Sequence, residues 1–145
     1  MTRPEWRVEP GFPLDALLAR PLVARVASAG PAITPVWFLW EDECFWWLTG
    51  SWSRLAGDLG VDPAVALVVD TCDLESGEVL QVRASGNAQI APFDANRARR
   101  KLRRYLGPDE DRWDARFRAT LDDDSARFAR LAPERLVARD LSFAP

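Results

Sequence analysis

The sequence predicts a mainly β fold, a bent antiparallel sheet closing as a small barrel with α-helices at its periphery. Three stretches carry that prediction. Residues 32–40 and 44–49 are apolar, aromatic-rich runs joined by Glu41-Asp42-Glu43, the pattern of a β-hairpin whose rings suit a pleated, half-buried surface. Residues 64–71 (AVALVVDT) form a nearly continuous β-branched run, as expected of a strand buried on both faces. Residues 79–90 (VLQVRASGNAQI) alternate from Leu80 onward, and Gly86 inside the run marks a bulge or a close backbone approach. A long bent strand of that kind is what closing a small barrel requires.

The other elements fit around these. Residues 1–12, polar and carrying Pro4 and Pro10, read as an extended arm. Leu14, Leu17 and Leu18 follow Pro13 at helical spacing, which predicts a short helix over 13–19. Residues 22–29 (LVARVASA) alternate as a first strand, and Gly30-Pro31 turns it tightly into the hairpin. After the hairpin, residues 51–60 read as a short helix with Ser51 as its cap, Leu55 and Leu59 on one face and Gly60 as its stop. Residues 92–106 (PFDANRARRKLRRYL) are the clearest helix, capped by Asp94, stopped by Gly107-Pro108 and striped by Ala98, Leu102, Tyr105 and Leu106. Residues 113–121 continue helically, and Asp122-Asp123-Asp124 begins a further turn with Phe128 and Leu131 facing inward. Residues 135–143 (RLVARDLSF) make the last strand.

Composition sets the bounds on function. The chain has 145 residues, enough for one domain with one core, and 48% hydrophobic residues, which excludes disorder over most of it. A net charge of −3 argues against nucleic acid as the partner. Without a membrane-length apolar run or an apolar leader, a cytoplasmic protein is expected. Histidine is absent, so imidazole acid–base chemistry and His-based metal or nucleophile sites are excluded. The three adjacent aspartates have no companion ligands, and no metal is expected. Cys44 and Cys72 are read as buried free thiols. Hard chemistry, if there is any, falls to a cofactor.

Two places are suited to a ligand. Five of the seven tryptophans fall between Trp37 and Trp52, which concentrates apolar area in the hairpin. The hairpin leads into Thr49-Gly50-Ser51-Trp52-Ser53-Arg54, where backbone N–H groups, hydroxyls and a guanidinium can hold an anion. Core packing is the competing reading of the aromatics, and a helix cap with a surface ion pair is that of Ser53 and Arg54. The basic run Arg97, Arg99, Arg100, Lys101, Arg103 and Arg104 is either an anion-binding surface or a solvated face balanced by Asp109, Glu110, Asp111 and Asp114. The solvated face is the preferred reading.

Pro35-Val36-Trp37-Phe38, Thr49 and Ser53, the helix ending at Leu59, Asp62-Pro63-Ala64-Val65-Ala66-Leu67, and residues 82–88 (VRASGNA) stand in an order that resembles the pyridoxamine 5′-phosphate oxidase-like family. The resemblance covers most of the chain. It implies an antiparallel six- or seven-stranded split β-barrel of Greek-key type with peripheral α-helices, as a single domain over 1–145. It also implies FMN or the deazaflavin coenzyme (factor 420) as cofactor, a homodimer sharing the cleft, and hydride transfer to a small unsaturated substrate. In that frame the backbone of Thr34, Pro35, Val36 and Trp37 lines the ring. Leu48, Thr49, Gly50, Ser53, Arg54 and Leu55 surround the phosphate, and Arg83 is a further candidate on its strand. No residue is singled out as catalytic. The family pattern has a lysine where this chain has Leu55 and an asparagine where it has Asp58. The alternative is therefore a non-catalytic cofactor-binding or structural dimer with a degenerate phosphate site, binding neither flavin nor deazaflavin in its extreme form.

Overall fold

The computed structural model describes residues 4–145, and these form two sheets with helices packed around them. Ten strands are present: β1 (Glu5–Val8), β2 (Val23–Ser28), β3 (Ala32–Trp37), β4 (Leu39–Glu41), β5 (Cys44–Thr49), β6 (Ala64–Asp70), β7 (Leu80–Asn87), β8 (Gln89–Ala91), β9 (Arg127–Leu131) and β10 (Arg135–Asp140). The helices are α1 (Leu14–Leu18), α2 (Leu55–Val61), α3 (Ala95–Leu106) and α4 (Ala115–Ala119). The larger sheet runs β1-β10-β7-β6-β2-β3 and the smaller β4-β5-β9-β8, and the two do not close into one barrel. All pairings are antiparallel except β1 with β10.

The strand number exceeds the expected six or seven because two long runs each break and change sheets and because β1 and β9 are strands where an arm and a turn were expected. The first break is at Phe38, which is fully buried. Its N–H donates to the Tyr105 hydroxyl at 3.0 Å, and its carbonyl accepts from Arg104 at 3.2 Å. Side chains of α3 thus satisfy the backbone groups that leave the ladder. The second break is at Ala88, whose N–H donates to the Pro63 carbonyl at 2.8 Å. Gly86 makes a close approach rather than a bulge. Its register against β6 is unbroken, and a Cβ there would meet the Glu134 amide nitrogen and the Leu131 side chain at 3.2 Å.

Other expectations need amendment. The segment expected as an extended arm contains β1, held to β10 with Glu5 opposite Arg135; residues 1–3 lie outside the described residues. β6 is buried on one face only, because its alternate residues Ala64, Ala66 and Asp70 are exposed. The turn expected after Asp124 is instead β9, which pairs with β5 on one side and β8 on the other. A central strand as apolar as β5 needs partners on both edges, and β9 is one of them. Cys44 is buried and Cys72 exposed; both are free. The β4–β5 turn places Asp42 and Glu43 at φ 55° and 57°, a two-residue hairpin loop in the left-handed region.

The main core lies between the sheets and includes Phe38, Phe45, Trp47, Leu67, Val69, Val82, Leu131 and Leu136. A second cluster, with Leu39, Trp46, Ala98 and Phe128, glues α3 to the smaller sheet. Among the described residues no helix is long and apolar enough to cross a membrane.

Candidate functional site

A cavity of about 450 Å³ opens where the edge strand β3, strand β5, the start of α2 and helices α3 and α4 converge. Its strand wall comes from Thr34, Pro35, Val36 and Trp37 of β3, with Trp47 and Leu48 of β5 and Val26 and Ser28 of β2. β3 is an edge strand, so the backbone groups on its outer side have no strand partner. Pro35 is tolerated there because it interrupts no inner ladder.

At the turn into α2, Trp52, Ser53 and Leu55 complete that side of the cavity. Trp52 is half exposed, and its ring lies so close over Gly50 that any Cβ at Gly50 would collide with it. The turn is closed on itself. The Ser51 N–H donates to the Ser125 hydroxyl at 3.0 Å, the Ser53 N–H to the Gly50 carbonyl at 3.0 Å, and the Leu55 N–H to Ser53 Oγ at 3.1 Å. Donors that the sequence presents as free for an anion are in large part already bonded.

The helix wall is Lys101 and Leu102 of α3 with Phe117 of α4 and the adjoining Thr120. Trp37 ties the two walls together. Its ring stacks on Tyr105 at 4.6 Å and 2°, and on Phe117 at 5.1 Å and 20°. Tyr105 is anchored in turn by donation to the Leu22 carbonyl at 2.6 Å, and burial pushes its phenol pKa up.

Polar groups on this surface are few and under-used. Trp47 is 1% exposed and its Nε1 has no hydrogen-bond partner. Lys101 is 6% exposed, and burial lowers its pKa from 10.5 to about 8. A cation on a cavity wall with no protein partner, as Lys101 is among the described residues, is uncommon enough to need a reason. A ligand that accepts from it is one such reason.

Of the residues the sequence singles out, the cavity brings together Thr34, Pro35, Val36, Trp37, Leu48, Ser53 and Leu55. Thr49 is buried off the wall, with its Oγ1 unpartnered. Gly50 supports Trp52 from outside the lining. Arg54 is exposed and lies off the wall. Arg83 is exposed on β7, opposite Val68 and Val137, and also lies off the wall. Sequence reasoning missed Trp47, Lys101, Leu102, Phe117 and Thr120 as wall residues. For Lys101 a signal was present, because it completes the i, i+3, i+4, i+7 stripe with Ala98, Leu102 and Tyr105.

Comparison with solved structures shows the same fold in several proteins. A conserved hypothetical protein from Mycobacterium tuberculosis superposes with a TM-score of 0.70 at 19% identity, covering 88% of this chain and 82% of that one. An F420 reductase gives 0.59 at 22% identity over 88% and 97% of the two chains. A FAD-binding protein from Mesorhizobium loti gives 0.58 at 18% identity over 88% and 91%. No curated protein matches. The family model described as pyridoxamine 5′-phosphate oxidase matches residues 14–137, a span that holds both sheets' central strands and every wall of the cavity. On that match the chain belongs to the pyridoxamine 5′-phosphate oxidase family.

Proposed function

We propose that the cavity binds a flavin or deazaflavin cofactor, FMN or factor 420, and that the protein is an oxidoreductase delivering hydride to a small unsaturated substrate. One observation carries the reading. A cavity of about 450 Å³ is walled by stacked aromatics and an edge strand, and Lys101 stands on its wall with no hydrogen-bond or ion-pair partner among the described residues. Its size falls in the range of cofactor sites, roughly 300–1,000 Å³. The donor set fits a planar ring with carbonyl and anionic groups, because the open edge of β3 offers unpaired backbone groups and Lys101 lines the same cavity. The similar folds of an F420 reductase and a FAD-binding protein support it further.

When bound, such a ring supplies the hydride chemistry. The chain's own residues do the rest. Val26, Val36, Leu48, Leu55 and Leu102 exclude water from the cleft, and Trp37 fixes the β3 wall against α3 and α4. Ile33 and Trp52 are 74% and 51% exposed beside this cleft, on or near the unpaired edge, and a second copy of the chain is the partner that would cover them.

The visible spectrum of the purified protein, followed by titration with FMN and with the deazaflavin coenzyme, tests the reading. Micromolar binding of either is expected; binding of neither refutes it. Leu55 and Asp58 favour a second reading, a non-catalytic dimer with a degenerate phosphate site, because they remove a cation and add an anion near Ser53. Cofactor binding without reduction or reoxidation by any electron donor or acceptor would select that second reading.

A further inference from the structure

Helix α3 carries six cations, and five of them are accounted for. Arg97 and Arg100 bond Glu41 at 3.1 and 2.7 Å, and Arg99 and Arg103 each reach Glu110 at 3.1 Å. Arg104 donates to the carbonyls of Leu18 and Phe38 at 2.9 and 3.2 Å. Lys101 is the exception. It is more deeply buried than any of these arginines, yet no hydrogen bond or ion pair to it occurs among the described residues. Among the described residues it is also the single ionisable side chain on the cavity wall.

Burial of Lys101 disfavours its charged form, and on this cavity wall no protein group among the described residues offsets that. A fold that keeps an ammonium on a cavity wall has a charge deficit that an anionic ligand can remove. The surroundings narrow that ligand. Trp37, Trp47 and Trp52 offer broad apolar surface, and Ser28, Thr34 and Ser53 offer only neutral hydroxyls. Leu55, across from α3, supplies no charge. The cavity therefore matches a planar aromatic body bearing one anionic group.

We infer that Lys101 is the anion receptor of this cavity, meeting the phosphate or ring-borne negative charge of a planar aromatic ligand from the α3 side. The inference deepens the cofactor reading where the ligand is a flavin, and the test separates the two. Wild type and Lys101→Met are titrated calorimetrically with FMN, with riboflavin and with the aromatic sulfonate anilinonaphthalene sulfonate. Thermal melts of the ligand-free proteins run alongside.

If Lys101 meets the phosphate, wild type prefers FMN over riboflavin by at least roughly tenfold, and Lys101→Met abolishes the preference. If it meets the ring, both flavins bind alike and both weaken by about that factor in the variant. If no flavin binds, the cofactor reading fails, and sulfonate binding that the variant loses still supports the receptor. Equal affinity of wild type and variant for every probe that binds, or no binding of any probe, overturns the inference. Ligand-free Lys101→Met is expected to melt higher than wild type, since it loses a buried unpartnered charge; a lower melt assigns Lys101 a structural role and also overturns it. Lys101→Gln, which removes the charge and keeps polarity, repeats each binding comparison as a second variant.

Discussion

The two walls of the cavity are built on opposite principles. The strand wall is made of residues whose burial follows from strand pairing, with β5 held in the middle of its sheet and β3 at an edge. The helix wall is made of residues whose burial is imposed by docking, since α3 and α4 share no sheet and meet the strands only through side chains. Among the described residues the strand wall carries no charge, and burial falls from Val26 and Trp47 to the open edge at Thr34 and Pro35. On the helix wall a lysine is buried within a row of satisfied arginines. Charge in this molecule is thus managed by pairing at the rim of α3 and left open where α3 meets the cavity.

Trp37 joins the walls, and its loss is expected to have the largest effect. Trp37→Ala removes stacking on both Tyr105 and Phe117, and should destabilise the protein by about 3 kcal/mol, lowering the melting temperature by about 10 °C. Urea unfolding of the ligand-free protein measures it. A cost below about 1 kcal/mol would mean that α3 is held by Phe38, Arg104 and Tyr105 alone, and the walls would be independent.

Next comes the pH profile of stability. Lys101 has a folded pKa of about 8 against an ordinary 10.5, so above about 8 the unfolded chain holds more protons than the folded one. Unfolding free energy should therefore rise as pH climbs through that window, by on the order of 3 kcal/mol in full. Tyr105 acts in the opposite sense above its ordinary pKa of 10, since burial raises it. Glu41, whose carboxyl is held below its ordinary value by Arg100, stays ionised across this window. Cys44, whose thiol burial raises from 9.0, also acts in the opposite sense but in both proteins alike, so the quantity to measure from pH 8 to 10 is the gain of wild type relative to Lys101→Met. No gain over the variant would show that Lys101 has water or a partner in solution.

Much of the strand wall was legible because alternation and aromatic density are local signals. Thr34 to Trp37 and Leu48, named through the family resemblance, line the cavity. Phe38 was not legible as a break, since what ends β3 there is the hydroxyl of Tyr105, 67 positions away. β9 was hidden for a similar reason: its short run follows three aspartates, and only the unpaired edge of β5 reveals that it is a strand. The helix wall was half legible. The stripe through Ala98, Lys101, Leu102 and Tyr105 is written at helical spacing, but five neighbouring arginines make the lysine look like one more surface charge. Their balancing carboxylates are Glu41 and Glu110; Glu41 lies far off in the β4–β5 hairpin and was not anticipated.

Glu41 gives a smaller, separable effect. It accepts from Arg97 Nε at 3.1 Å and from Arg100 Nε and Nη2 at 2.7 and 2.9 Å. The bond from Arg100 chiefly holds its carboxyl below the ordinary 4.5. Its contribution is complete above that value and is lost as pH falls through the lowered folded pKa. Glu41→Gln should cost about 1 kcal/mol at neutral pH and flatten the acid-side decline, without altering the rise between pH 8 and 10. A change in that alkaline rise would couple the rim of α3 to the cavity.

The smallest effect is expected at Arg54, and it bears most directly on where an anion sits. In sequence Arg54 is the natural receptor, beside two serines at a strand-to-helix turn. In the fold it is exposed, makes no ion pair among the described residues, and stands next to a turn whose Ser51 amide donates to Ser125 and whose Ser53 hydroxyl accepts from the Leu55 amide. A long exposed side chain gains little from a charge partner in water, because screening and lost rotamer freedom offset the attraction. Arg54→Ala should therefore change stability by no more than about 0.5 kcal/mol and FMN affinity by no more than about threefold. Lys101→Met is expected to cost at least roughly tenfold in the same titration. If the ranking reverses, the phosphate lies at the turn, the α2 side governs anion binding, and the buried lysine of α3 needs another explanation.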